Sequence, residues 1–197
     1  MSHHIYNTKT FVIDSYQSKE SDLMINLYTE DFGLICAVAQ GVREMKSKLR
    51  YSLQELSFGT VALVRGRELW RITNASSEIS LFNKGLNNAT KIAIAGLLKF
   101  VKRFAPGEAK STDIFETLKQ VSSFLFRNQK MISKNEIEVS VLISKLRIMY
   151  ILGYVKDTFD NKKLLTEEFD LEKVKNWQKD EVAVQIVIEE AIGISHL

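Results

Sequence analysis

Four cations, Arg43, Lys46, Lys48 and Arg50, fall within eight residues of the stretch GVREMKSKLRYSLQ (Gly41 to Gln54), with one anion, Glu44, among them. Apolar segments flank the stretch: LICAVAQ ends just before it, and another begins at Leu56. Cations this dense suit the neutralisation of phosphate along a polyanion; the alternative is a solvated loop between two buried segments. Extended, Lys46, Lys48 and Arg50 would share one face about 6.6 Å apart. Helical, Met45, Leu49, Leu53 and Leu56 would form an apolar stripe. A compromise is a loop to Ser47, Ser47 as N-cap, and a short helix from Lys48 to about Gln54. Leu49 and Leu53 would then pack inward, and cations would stand beside free backbone N–H groups, where phosphate is favoured.

Other groups offer related chemistry. Arg65 and Arg67 flank Gly66 in an apparent hairpin turn, which is either an exposed turn or a second phosphate contact from the same barrel rim. Single strands also need rings for stacking. Tyr28, Phe32, Tyr51, Phe58 and Trp70 are available, most of them expected in the core; Tyr51, next to Arg50, is the best exposed candidate. Lys99, Lys102 and Arg103 lie on one helical stretch, and Lys99 and Arg103 are i, i+4 neighbours that form either an anion patch or a solvated face.

Catalytic chemistry finds little material. The histidines, His3, His4 and His196, lie near the chain ends, and none has a metal-ligand spacing to the single cysteine, Cys36. No phosphate loop, nucleophile elbow or dinucleotide fingerprint occurs. Cys36, inside LICAV, reads as a small buried hydrophobe. The expectation is a protein that is not an enzyme, with no cofactor and no metal.

The elements that must position these groups change type along the chain. FVIDSY, DLMINLYT, GLICAVAQ, SFGTVALV and ELWRITNA are short, rich in β-formers and alternating, as at Leu23, Ile25 and Leu27. Five strands in about 75 residues suit a small barrel. After Asn88 the apolar spacing becomes helical. One helix runs to Phe104 and stops at Pro106-Gly107. A second is capped by Ser111 or Thr112. A third opens on the capping box Ser133-Lys-Asn-Glu136 and ends at Gly153, and a last covers roughly Asp180 to Ile192. No apolar run reaches the length of a membrane span, and the N-terminus MSHHIYNTKT lacks the pattern of a signal peptide. With one cysteine, a reducing, cytoplasmic setting is expected.

Charge divides the chain a second way. Residues 1–83 hold nine cations and nine anions, residues 84–163 fifteen and seven, and residues 164–197 three and eight. Borders therefore fall near Leu81–Asn88 and near Lys163, and the basic middle calls for an acidic partner.

The stretch from Tyr16 to Ser76, YQSKESDLMINLYTEDFGLICAVAQGVREMKSKLRYSLQELSFGTVALVRGRELWRITNAS, resembles the N-terminal domain of the bacterial recombination mediator RecO. Tyr16, Glu20, Leu23, Tyr28-Thr29, Gly33, Gly41, Arg43, Lys46-Ser47, Leu49, Leu53-Gln54 and Leu69 carry the likeness. Downstream, LRIMYILGY (Leu146 to Tyr154) is similar to the helix end that precedes the family's zinc-knuckle segment. The resemblance implies an α+β fold: an N-terminal OB-fold barrel over residues 1–80, then an α-helical domain over 81–197 with a short insert near 154–170. It implies a DNA repair and recombination mediator, cytoplasmic and nucleoid-associated. Such a protein binds single- and double-stranded DNA, anneals strands and helps load recombinase. Its partners are a RecR-like protein and the tail of single-stranded-DNA-binding protein, with no membrane. Arg43, Lys46, Lys48, Arg50, Arg65, Arg67 and Tyr51 are then the DNA-binding candidates; Lys99, Lys102 and Arg103 are the partner-binding candidates. The chain departs from the family pattern at Gln40, Glu44 and Glu55-Leu56. It also has no cysteine in VKDTFDNKKLL after Tyr154, so the insert is expected to hold no zinc. Those departures and the balanced charge of residues 1–83 favour a second reading, a helical protein-interaction adaptor with little DNA affinity.

Overall fold

The computed structural model describes residues 4–44, 47–80, 86–156 and 162–195. The chain divides into two compact units, Met1–Gly85 with Ala105–Thr112, and Leu86–Phe104 with Asp113–Leu197.

In the first unit, β1 (Ile5–Gln17), β2 (Leu23–Thr29), β3 (Gly33–Ala39), β4 (Ser57–Arg65) and β5 (Trp70–Ser80) close into a barrel in the order β1-β2-β3-β5-β4. Neighbours are antiparallel except β3 and β5, where Ala37 stands beside Trp70 and Val38 beside Arg71. This strand order, with a single helical turn α1 (Leu49–Ser52) between β3 and β4, is the OB-fold. Strand β1 closes it by pairing twice, with β4 from Ile5 to Phe11 and with β2 from Thr10 to Gln17. An irregularity between Val12 and Asp14 falls where the strand turns to its second partner.

Alternation sorts the side chains. Ile25, Leu27, Ile35, Ala37, Ala39, Val61, Leu63, Trp70 and Ile72 fill the interior, joined by Val42 and Leu53 from the β3–β4 connection. Because Ile35 and Ala37 take the inside, Cys36 between them faces out and is only half-buried. Apolar neighbours along the sequence are therefore no guide to its burial.

Ala105–Thr112 groups with the barrel, although from sequence it belonged to the helical region. Leu34 N donates to Gly107 O (3.0 Å), and Lys110 Nζ meets Asp31 Oδ1 (3.1 Å). Gly33 sits at φ 67°, and a Cβ there would run into the Ala109 carbonyl, so the close approach needs glycine.

The second unit is helical: α2 (Asn88–Phe104), α3 (Thr112–Asn128), α4 (Lys134–Ile151), α5 (Lys162–Thr166), α6 (Leu171–Trp177), a 3-10 turn (Gln178–Asp180) and α7 (Glu181–Ser195). Helix α4 is its centre and touches α2, α5, α6 and α7. Its residues are buried nearly all round, including Ile137, Val139, Ile143, Leu146, Ile148 and Met149. Ser133 caps it through a complete capping box with Glu136, and Gly153 at φ 80° ends it. Helix α5 lies within the stretch read as an insert and α6 begins just past it; residues 157–161 lie outside the described residues. Arg147 organises this region. Only 4% exposed, it donates to Leu164 O (2.7 Å) and to Glu167 O, and its guanidinium stacks over Phe169 and Trp177. Among the described residues, no helix is long and apolar enough to cross a membrane, and no group of three or more His, Cys, Asp and Glu is placed to hold a metal.

Candidate nucleic-acid interface

The basic stretch is held at both ends. Near its start Gly41, at φ 61°, donates its N–H to Asp22 Oδ1 (2.9 Å), and Arg43 N donates to Ser21 O (3.1 Å). At its end, Leu56 N donates to Val12 O (2.8 Å), and Glu55 Oε1 accepts from Ser15 N (3.1 Å). Between these anchors Leu53 is buried and Leu49 packs against the same core. Inward leucines four residues apart turn Lys48, Arg50 and Tyr51 out to solvent, and Tyr51 is 72% exposed. Arg43 is exposed, its Nη1 donating to Glu20 O (2.9 Å). Among the described residues, Lys48 and Arg50 have no carboxylate within ion-pair distance. Lys46 lies outside the described residues.

The helix expected here is shorter than its pattern suggested. It spans Leu49–Ser52, with Lys48 rather than Ser47 at the N-cap and no side-chain cap bond. Packing of Leu49 and Leu53 needs only one turn, and Gln54 already bonds on toward β4 through Ser57 N (3.1 Å). One turn has almost no aligned dipole, so the loop's attraction for anions rests on side-chain charge.

Arg65 and Arg67 belong to a different end of β1. Val64, beside Arg65, pairs with Ile5, whereas the basic loop is tied to Ser15 and to Ser21 and Asp22 just past the strand. The turn is therefore not on the same rim as the loop. Arg65 is also engaged: Nη2 lies 3.2 Å from Glu108 Oε2, and the guanidinium covers the Trp70 ring. The same Glu108 accepts from Trp70 Nε1 through Oε1 (3.2 Å). Arg67 is exposed. Of the candidate rings, Tyr28 and Trp70 are buried, and Phe32 and Phe58 are half-buried.

Two further exposed residues of the barrel were not among the site candidates read from sequence. Tyr16 is 53% exposed on the outward side of β1, with its hydroxyl 3.7 Å from Cys36 Sγ. That hydrogen bond, with Asp14 nearby, holds its phenol pKa above the ordinary value. Arg71 is exposed beside Val38. Only strand register across β2 and β3 relates Tyr16 to Arg71, and no sequence spacing reveals it.

In the helical unit, α2, α4 and α7 frame a groove of about 360 Å³. Phe100, Leu142, Ile188 and Ile192 give it an apolar floor; Lys99, Arg103 and Lys145 give it a basic border. Lys102 is exposed but does not line it. Lys145 was missed; its ammonium lies over the Phe100 ring (5.5 Å), and burial lowers its pKa.

A five-stranded OB barrel with a pinned basic loop, followed by an all-helical unit, defines the class of this protein. Residues 1–80 match the family described as "Recombination protein O N terminal". Curated relatives named "DNA repair protein RecO" include that of Clostridium novyi (strain NT), 28% identical over 152 residues, covering 76% of this chain and 57% of the relative. That of Dehalococcoides mccartyi (strain CBDB1) is 30% identical over 117 residues, covering 58% and 46%. That of Thermodesulfovibrio yellowstonii (strain ATCC 51303 / DSM 11347 / YP87) is 26% identical over 169 residues, covering 83% and 65%. The chain spans about half the length of the curated relatives it matches. By these matches residues 1–80 are similar to the N-terminal domain of the RecO family, and most of the chain is similar to proteins named "DNA repair protein RecO".

Proposed function

We propose that the chain is a non-enzymatic DNA repair and recombination factor that grips single- and double-stranded DNA through Arg43, Lys46, Lys48 and Arg50, with Tyr51 beside them. The observation that carries this reading is the loop tethered at both ends, whose Lys48 and Arg50 face solvent without a carboxylate partner among the described residues. A cation without a carboxylate partner among the described residues is open to phosphate. Strand annealing and recombinase loading extend this reading from the family resemblance. The test is a salt series on a single strand. Four phosphate contacts give a slope of log K against log salt of roughly −2.8, from about −0.7 per contact. Replacing the four cations by Gln flattens the slope; an unchanged slope removes the loop from the interface.

The helical groove supports a partner role beside this. Lys99, Arg103 and Lys145 around an apolar floor suit a short acidic peptide with a hydrophobic end, such as the tail of single-stranded-DNA-binding protein. A RecR-like partner is the other expected associate. Removing the charges of Lys99, Lys102 and Arg103 and titrating peptide and DNA separately distinguishes adaptor from DNA contact. Lost peptide binding alone supports the adaptor role, whereas lost DNA binding alone assigns the patch to DNA.

A further inference from the structure

Helix α7 is apolar on both of its sides. Val184, Ile188 and Ala191 are buried, and Ile188 and Ile192 line the groove framed by α2, α4 and α7. Around the helix from these, Val182 (73% exposed), Ile186 (51%) and Gly193 align at i, i+4 and i+11. Ala183 and Ile194 (57% exposed) form a second row beside them. From Val182 to Ile194 the stripe is about 18 Å long. Single exposed aliphatic side chains are ordinary on a protein surface, but a contiguous row of them marks a contact.

Two observations narrow what covers the stripe. The first is charge. The segment EVAVQIVIEEAIGIS holds three glutamates and no cation. Glu189 and Glu190 are exposed on the outward side, and among the described residues neither has a cation within ion-pair distance. Glu189 Oε1 accepts from Gln185 Nε2 (2.7 Å), which leaves its charge in place. The carboxyl end of the helix adds partial negative charge. The second is Gly193. It lies inside the helix, is not one of the left-handed glycines, and a Cβ there would meet nothing within 4 Å. The chain itself therefore has no need of a glycine that weakens its helix. A bare backbone at the surface does let another helix approach closely.

We propose that the outward face of α7 docks a basic amphipathic helix of a protein partner. Its apolar side chains lie along Val182, Ile186 and Ile194, its backbone crosses at Gly193, and its Lys or Arg heads reach Glu189 and Glu190 over their own apolar stems. A second copy of this chain fits the stripe less well, because two-fold pairing brings glutamates against glutamates. The inference is independent of the DNA-binding loop and of the groove, whose cations attract the opposite charge.

The probe is a labelled designed helix of about five turns, long enough to cover the stripe, with leucines on one face and lysines on the other. It is titrated into the full chain beside a shuffled peptide of equal composition and a version with glutamate for lysine. The amphipathic basic helix is expected to bind at least tenfold more tightly than either control. Ile186→Ser weakens it roughly tenfold, a typical loss for one buried aliphatic anchor. The double variant Glu189→Gln, Glu190→Gln weakens it several-fold and flattens its salt dependence. Gly193→Leu also weakens it roughly tenfold while melting no lower than wild type, a combination that misfolding does not produce. Shuffled peptide binding as tightly as the ordered helix, or Ile186→Ser and Gly193→Leu binding it like wild type, overturns the inference. So does a wild-type dimer in sedimentation that Ile186→Ser dissolves, which assigns the stripe to a second copy. DNA titrations of the same variants keep the readings apart: unchanged DNA affinity leaves the proposed function standing whatever the helix does.

Discussion

Tyr28 shows how one residue can be apolar in position and acidic in chemistry. It lies on the outward side of β2, yet it is 1% exposed and shares a hydrogen bond with Ser111. Burial pushes its phenol pKa up to about 12, with the Ser111 bond pulling the other way. Between pH 10 and 12 the unfolded chain gives up a proton that the folded chain keeps. The stabilisation is therefore complete below about pH 10 and is lost as pH rises through about 12, at most about 3 kcal/mol. Tyr28→Phe has no such proton to lose. Urea unfolding from pH 8 to 12 should show wild-type stability falling faster than that of the variant; parallel curves would remove the assignment. Residues such as Tyr28 and Cys36 were hard to read because burial depends on what covers a face. The strand period says only that Tyr28 and Cys36 share the outward one. Ser111, 83 positions away, covers the first, whereas a tyrosine hydroxyl and solvent meet the second.

Elements were legible where their determinants are local. The five strands follow from alternation, and α2 from its apolar spacing up to Pro106-Gly107. The start of α4 is local too: Glu136 N donates to Ser133 Oγ (3.3 Å), and Ser133 N donates to Glu136 Oε2 (2.6 Å). Ser133→Ala removes the first bond and should cost about 1 kcal/mol, with Ser133→Gly costing only a few tenths. Denaturant midpoints at unchanged slope measure this, and an Ala variant as stable as wild type would show that the box adds nothing. The basic loop was half legible. Its leucine spacing named the inward side chains, but its length as a helix depended on tethers from Ser15, Ser21 and Asp22 on other segments. The same holds for Ala105–Thr112. PGEAKS reads as a helix connection, and nothing in it shows that Glu108 will meet Arg65 and the Trp70 indole. Partners distant in sequence also explain why the Arg65–Glu108 ion pair and the place of Lys145 on the groove border could not be read from spacing.

For the molecule as a whole, one question is what holds the segment after Tyr154, where some members of the family carry zinc ligands. Here a buried cation does the tying. Arg147 projects from α4 and gives its N–H groups to the carbonyls of Leu164 and Glu167, while its plane lies against Phe169 (4.6 Å) and Trp177 (5.8 Å). Burial lowers its pKa to about 10, so it stays charged at neutral pH. The guanidinium fork suits this place because it reaches two acceptors and stacks at once; an ammonium is a point charge that cannot do all three. Arg147→Met keeps apolar bulk but leaves two carbonyls without their donor, a loss of roughly 3 kcal/mol. Arg147→Lys recovers part of it. Because these bonds need no metal, a strong chelator should leave the melting temperature of the wild-type chain unchanged, while Arg147→Met lowers it by several degrees. A chelator-induced drop, or an Arg147→Met variant that melts with wild type, would show that the segment is held by something other than this arginine.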